Sequence, residues 1–352
     1  MGRRKRPPRR RGHGGGRRRR SGGRGGRRFA KFAAFLVVAI VAVSVFNIAE
    51  STSRTDEYSD VMGESAGHDA SGETGTSTQA DGSSEDSGSS ETVAAADVDG
   101  ELRVRYLDVG QGDCTLVSCD GEYLLIDGGD SDHSSEVYSV LERLGIDYLD
   151  YIVATHPDAD HIGGISGALN EADCGTFYCS VSEHDTETFD DMVGYLDGTS
   201  ITVPSVGDTF YVGDALVTFV GPVATYDDTN NGSLVLRIDY GTTSFLFTGD
   251  AEEESELDML DAGEDLSADV LKVGHHGSKS SSCEEFLQAV DPEYAVISVG
   301  ADNEYGHPTE ETLSRLESVG AEVFRTDEDG SVIAVSDGAS ITITTTTGLV
   351  SE

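Results

Sequence analysis

Between Thr155 and Gly164 the chain reads Thr155-His156-Pro157-Asp158-Ala159-Asp160-His161-Ile162-Gly163-Gly164, which crowds two imidazoles and two carboxylates into six residues. Imidazole nitrogen and carboxylate oxygen are the donor types that hold divalent metals. In so acidic a chain an Asp-x-Asp alone would read as a solvated loop. Histidine is scarcer, with nine in all, and two of them bracket this run. Two more are adjacent in Lys272-Val273-Gly274-His275-His276-Gly277-Ser278, and Phe247-Thr248-Gly249-Asp250 delivers one carboxylate into a tight turn. Together these segments specify a metal centre, whose chemistry is activation of water and polarisation of an ester or phosphoryl oxygen.

Each segment directly follows, or is the end of, a short apolar, β-branched run: Tyr151–Ala154, Val270–Val273 and Ser244–Thr248. The C-terminal ends of strands are where α/β folds gather their sites. Further runs at Leu102–Leu107, Thr115–Ser118, Tyr123–Ile126, Leu216–Val220, Leu234–Tyr240, Ala295–Val299 and Val332–Val335 read as strands, each bounded by turn residues. Ser134–Leu144 carries Val137, Val140, Leu141 and Leu144 on one helical stripe. Ser282 with Glu285 predicts a capping box opening a helix through Phe286, Leu287 and Val290, and Thr309 predicts the N-cap of a helix ending at Val319. Strands outnumber helices and the two are interspersed, which predicts a mixed α/β sandwich.

Seven motifs follow in order over residues 102–336: Leu107-Asp108-Val109-Gly110-Gln111-Gly112-Asp113, Ile126-Asp127-Gly128-Gly129, the His156 to Gly164 run, Asn230-Asn231-Gly232-Ser233-Leu234, Thr248-Gly249-Asp250, the His-His-Gly-Ser stretch and Tyr305-Gly306-His307-Pro308. In these the chain resembles the metallo-β-lactamase superfamily, and within it the hydrolase domain of ComEC-type DNA-uptake proteins. The resemblance implies a four-layer αββα sandwich with metals at one edge between the sheets. It implies that His156, Asp158, Asp160 and His161 form the first ligand group, that Asp250 is shared by two divalent ions, and that His276 is the last ligand. The residues themselves leave His275 open as the alternative. Asp158 stands where the superfamily's H-x-H-x-D-H pattern has its second His, and Asn230 or Asn231 stands near the place of a missing mid-chain His. Both departures are shared with the ComEC-type branch. They enrich the site in oxygen, which favours Mn²⁺ over Zn²⁺.

The implied reaction is in-line attack on an ester phosphorus by a hydroxide held between two ions, with Asp160 and His276 as the catalytic residues and Asp160 orienting the hydroxide. Asp127 and His275 are expected behind the ligands. Asn230, Ser233, Lys272, Ser278, Lys279 and His307 are expected to face the substrate.

Charge divides the chain. Of its 24 Lys+Arg, 15 lie between Arg3 and Lys31, whereas from Glu50 onward 9 basic residues meet all 65 acidic ones. Residues 1–28 read as a basic, disordered cytoplasmic tail, and 29–49, uncharged from Phe32 to Ala49, as an uncleaved transmembrane helix. Residues 50–100 read as an acidic Ser/Gly-rich linker and 101–352 as the hydrolase domain, placed outside the cell membrane. There, Cys114, Cys119, Cys174, Cys179 and Cys283 would have the setting for one or two disulfides; none has a C-x-x-C zinc spacing. The regular apolar runs exclude collagen-like and fully disordered classes.

The expectation for function is an anchored, outward-facing phosphodiesterase, a nuclease of DNA uptake acting on an anionic phosphodiester such as single-stranded DNA. One span cannot form a pore, so a separate DNA-channel protein is expected as partner. With 52 acidic and 8 basic residues, 101–352 repels DNA, which leaves two alternatives within the enzyme class, a phosphorylated envelope component and a small phosphodiester. From another class comes a non-catalytic metal-binding surface protein. A β-lactamase would keep the His ligands absent here.

Overall fold

Strands β1 (Leu102–Tyr106), β2 (Thr115–Cys119), β3 (Glu122–Ile126), β4 (Tyr148–Ala154), β5 (Asp173–Cys179) and β6 (Ile201–Thr202) build one sheet in sequence order. The chain then lays down a second sheet from β7 (Thr209–Val212), β8 (Ala215–Gly221), β9 (Val235–Tyr240), β10 (Thr243–Phe247), β11 (Val270–Lys272), β12 (Tyr294–Ile297) and β13 (Glu322–Arg325). It returns to the first sheet with β14 (Ser331–Ser336), which pairs with β1, and β15 (Ile341–Thr346) on the edge. The computed structural model describes residues 97–346. The basic tail, the span expected at 29–49 and nearly all of the linker lie outside the described residues. Among the described residues no helix is long and apolar enough to cross a membrane.

Each sheet is antiparallel on one side and parallel on the other. Pairing is parallel from β3 to β6 and from β10 to β13. Parallel neighbours need crossovers, and helices supply most of them: α1 (Ser134–Leu144) joins β3 to β4, α2 (Ala159–Ile162) and α3 (Ile165–Glu171) join β4 to β5, and α4 (Glu187–Tyr195) precedes β6. In the second sheet α5 (Glu253–Ala262), α6 (Glu284–Val290) and α7 (Glu310–Val319) do the same, and a short α8 (Thr326–Asp329) precedes β14. One apolar cluster lies between the sheets, with Val104, Leu124, Val153, Phe219, Phe245 and Phe247. A second packs Val137, Val140 and Leu141 of α1 on Leu125 and Ile152; a third packs Phe286, Leu287 and Leu316 on Leu246 and Leu271. The layers therefore run α, β, β, α, as expected.

Helix α1 has the bounds its stripe predicts, and Gly145 ends it in the left-handed region (φ 69°) that glycine adopts without strain. Thr309 caps α7, its hydroxyl accepting from Thr312 N. The capping box at Ser282 does not form. Both Ser282 N and Cys283 N donate to the buried Glu256 carboxylate, a stronger acceptor than a hydroxyl, and Cys283 becomes the N-cap. All five cysteines are free, so the expected disulfides are absent. At the N-terminal end Asp97, inside the segment read as linker, meets the buried Arg105 at 2.6 Å and accepts from Ser118 Oγ.

Candidate metal centre

The parallel halves aim five strand ends at one edge of the sandwich. Strands β3 and β4 present Asp127 and the His156–His161 loop; β10, β11 and β12 present Asp250, His275 with His276, and the loop from Ser298 to His307. Backbone hydrogen bonds fix these loops on one another: Asp113 N to Asp160 O (3.1 Å), Gly128 N to His161 O (2.7 Å) and Gly164 N to Gly129 O (2.8 Å). Glycine is required at this contact, since a Cβ on Gly112, itself at φ 130°, would overlap Asp160 O. His275 and His276 both hold left-handed backbone (φ 48° and 52°), an arrangement non-glycine residues rarely adopt and one that turns two successive imidazoles toward the same edge.

Asp250 divides the donors into two groups. Its Oδ1 stands 3.2 Å from His161 Nε2 and 3.7 Å from His276 Nε2, and His276 Nε2 stands 3.3 Å from Asp160 Oδ2. Its Oδ2 stands 3.9 Å from His156 Nε2 and 3.7 Å from His275 Nε2, and His156 Nε2 is 3.8 Å from Asp158 Oδ2. The nearest contacts place His156 and Asp158 beside Oδ2, and His161, with Asp160 through His276, beside Oδ1; ligand atoms of His156, His161 and Asp250 still all lie within 4.8 Å of one another. His275, expected behind the ligands, turns its Nε2 to the same carboxylate oxygen as His156.

The opposite ring nitrogens are all engaged. His161 Nδ1 donates to Asp127 Oδ2 (2.9 Å), His276 Nδ1 to Ser298 O (2.9 Å), His275 Nδ1 to Glu252 Oε1 (3.1 Å) and His156 Nδ1 to Thr155 Oγ1 (3.2 Å). Donation from Nδ1 leaves the Nε2 lone pair for a metal. Nε2 of His156, His161 and His276 and Oδ1 of Asp250 are buried with no hydrogen-bond partner, which an intervening cation resolves. The residues thus fit a metal pair. The field of the surrounding carboxylates favours positive charge here, and without a metal ion it favours protons on the imidazoles. Burial pulls the His276 imidazole down, but Asp250 and Asp113 outweigh it and push it up to about 10. His161 is likewise raised against its burial by Asp250 and Asp127, while burial and His161 lower His156. Burial opposes ionisation of Asp250 and Asp160, yet the surrounding imidazoles hold both far below the usual carboxylate range.

A cleft of about 120 Å³ opens on the group, lined by Gln111, Asp158, Asp160, Asn230 and Asp250 with His275, His276, Tyr305 and His307. Asn230 and His307 thus reach the cleft; the other residues expected to face substrate do not line it. Lys272 is 2% exposed and its ammonium is taken by Asp113 Oδ2 (2.8 Å) and Val273 O, because β11 points it inward. Ser233 is buried and accepts from Asp250 N, so it fixes the carboxylate's turn. Ser278 bonds Ser280, and Lys279 is exposed outside the cleft. Asp127 does brace the His loop, accepting from Thr155 N, Thr155 Oγ1 and His161. Asp113, Glu252, Gln111 and Tyr305 were not singled out by residue type. Glu252 has one signal in the sequence, a second acid two positions after Asp250.

A profile of the metallo-beta-lactamase superfamily matches residues 107–301. ComE operon protein 3 of Bacillus subtilis is 34% identical over 254 residues, 66% of this chain and 33% of that protein. Competence protein ComA of Neisseria gonorrhoeae is 33% identical over 236 residues, 66% of this chain and 32% of that protein. The chain thus spans about a third of the length of these curated relatives. Among solved structures, the metallo-beta-lactamase fold protein YhfI from Bacillus subtilis aligns at a TM-score of 0.46 and 14% identity, covering 67% of this chain and 99% of that one.

Proposed function

From the premise that the chain belongs to the metallo-β-lactamase superfamily, we propose that this hydrolase cleaves phosphodiesters with two divalent ions, and that it is a nuclease serving DNA uptake. The observation that carries the reading is the split of Asp250 between two imidazole–carboxylate groups. The competence proteins among its relatives supply the link to DNA. His156, Asp158 and His275 would hold one ion, and Asp160, His161 and His276 the other, with Asp250 common to both. Three carboxylates in the set favour Mn²⁺, although His275 adds an imidazole that suits Zn²⁺. When bound, the ions supply Lewis acidity and a water that ionises near neutral pH.

The remaining chemistry falls to side chains at the cleft. Asp160 Oδ2 is a strong acceptor that stays ionised, so it orients the attacking water rather than storing its proton. His307 is pushed down to about 4 by burial and by His275 and His276, and is therefore neutral at pH 7. A neutral ring at the cleft donates one N–H to a phosphoryl or leaving oxygen without attracting a second metal-site carboxylate. Asn230 offers an amide donor from the opposite sequence segment. Residues 29–49 are proposed as the membrane anchor, with the hydrolase domain outward and a separate protein as the DNA channel.

A small or envelope-derived phosphodiester is the second reading, favoured by the absence of any Lys or Arg among the cleft's lining residues. The deciding experiment measures metal stoichiometry in the full chain beside turnover of bis(p-nitrophenyl) phosphate and single-stranded DNA. Metal-dependent cleavage of both supports the nuclease. Cleavage of the small ester alone selects the second reading, and metal binding without cleavage of either removes the phosphodiesterase.

A further inference from the structure

The rim of the cleft carries a feature that metal chemistry does not require. Tyr305 is 69% exposed, the most exposed large hydrophobic side chain among the described residues, yet it lines the cleft. Its ring stacks on His307 (centroids 5.8 Å, 25°), and His307 meets His275 edge to face (5.5 Å, 78°). Three rings thus lead from the metal group out to solvent. The loop that presents them is braced from within, since Asn303 Nδ2 donates to Gly300 O and His307 O while its Oδ1 accepts from His307 N. The tyrosine is therefore held out on a fixed support.

The same loop walls a second cavity of about 400 Å³ through Gly300, Ala301 and Asn303, and Gln111 lines both spaces. Gln111 Oε1 accepts from Gly300 N, but its Nε2 is buried without a partner, as is Nδ1 of His133, which also lines the cavity. The carboxylates Asp108 and Glu136 stand on this cavity's walls, and no Lys or Arg does. A phosphate would be repelled there. An uncharged, flat group bearing hydrogen-bond donors and acceptors would not.

We infer that Tyr305 and Gln111, which line the same cleft, form a nucleobase subsite that opens toward the cavity behind Gln111 and binds an unstacked base flanking the scissile phosphate. The inference rests on the phosphodiesterase reading and names what that site recognises besides the phosphate. Stacking on an aromatic ring is worth roughly 5- to 150-fold in affinity per base and does not depend on attracting phosphate charge. That is the kind of affinity open to a domain whose acidic residues outnumber its basic ones so heavily. A base inside a duplex cannot offer its face to Tyr305 without leaving the stack, so the subsite selects single strands.

The test compares a short single-stranded oligodeoxynucleotide with the same strand carrying abasic residues, since both present one phosphodiester backbone. Metal-loaded full-length wild type is expected to show a KM about tenfold lower for the base-bearing strand. Tyr305→Ala is expected to lose that preference, Tyr305→Phe to keep it, and Gln111→Met, which removes the amide donor at similar volume, to reduce it. Equal KM for the two strands in wild type, or a preference that survives Tyr305→Ala, overturns the subsite while leaving the phosphodiesterase standing. Cleavage of neither strand, nor of a small phosphodiester, removes the phosphodiesterase and the subsite together.

Discussion

Asp250 is the residue whose loss nothing nearby can cover, because each of its oxygens belongs to a different donor group. Asp250→Ala is expected to lower bound metal from two ions to one or none and to bring turnover of a model phosphodiester below detection. Emission spectroscopy of the purified variant beside its activity checks this, and two bound ions with full turnover would sink the shared-carboxylate assignment. Glu252 bears on the neighbouring question of His275. Its carboxylate accepts from His275 Nδ1 and from Ser280 Oγ, an arrangement that fixes the ring and raises the basicity of Nε2. If His275 is a ligand, Glu252→Gln should weaken the affinity for one of two ions by about 10- to 100-fold. Calorimetric titration resolves the two binding events. Unaltered affinities would return His275 to a supporting place.

At the scale of elements, pairing topology decides what a motif does. The strands carrying His156, Asp250 and His276 were legible because each is a short apolar run ending in a turn, and α1 and α7 because stripe or cap is local. Strands β5, β7, β13 and β15 were not, nor was the two-residue β6. Their sequences DCGTFYC, TFYV, EVFR and ITITTT hold polar residues at positions that only an edge or half-exposed strand tolerates, and pairing partners far along the chain decide their state. Lys272 was misread for a related reason: a lysine beside a metal motif suggests an anion, yet strand register turns it inward to Asp113. Lys272→Met is expected to leave the buried Asp113 carboxylate with His276 as its only cationic partner among the described residues, at a cost of about 3 kcal/mol in stability. A lowered melting temperature with unaltered KM supports this, whereas an intact fold with raised KM would restore the substrate contact.

Glu256 on α5 gives the same layer a pH dependence. Burial pushes its carboxyl up to about 7 from an ordinary 4.5, even though Ser282 N and Cys283 N donate to it. A raised folded-state pKa means that the native protein holds a proton the unfolded chain has released. The stability this contributes is complete below about pH 4.5 and is lost as pH rises through about 7. Glu256→Gln stays neutral throughout. Its stability relative to wild type should therefore grow between pH 5 and pH 8, by on the order of 3 kcal/mol at most. Parallel melting curves across that range test the sign, and a constant offset would show that Glu256 does not titrate there.

For the molecule as a whole, charge is the dominant constraint. Residues 101–352 carry 52 acidic side chains against 8 basic ones, and two of the basic ones, Arg105 and Lys272, are buried. Few surface cations remain to offset the acids, so folding gathers like charges that the unfolded chain keeps further apart. Salt shortens the reach of this repulsion, the screening length falling from about 30 Å at 0.01 M to about 10 Å at 0.1 M. A fragment of residues 95–352, which keeps Asp97 with Arg105, is expected to fold and to melt several degrees higher in 0.1 M than in 0.01 M sodium chloride. The same field acts on a polyanionic substrate. For a protein that binds nucleic acid through many lysines and arginines, affinity falls steeply as salt rises. Here KM for a single strand should fall, or hold, over the same range, because screening relieves repulsion before it weakens any attraction. Melting curves and initial rates at the two ionic strengths, with metal concentration fixed, measure both effects. A KM that climbs tenfold with salt would mean that the eight cations within residues 101–352 grip the strand strongly enough to outweigh the repulsion, and that net charge does not set the interaction.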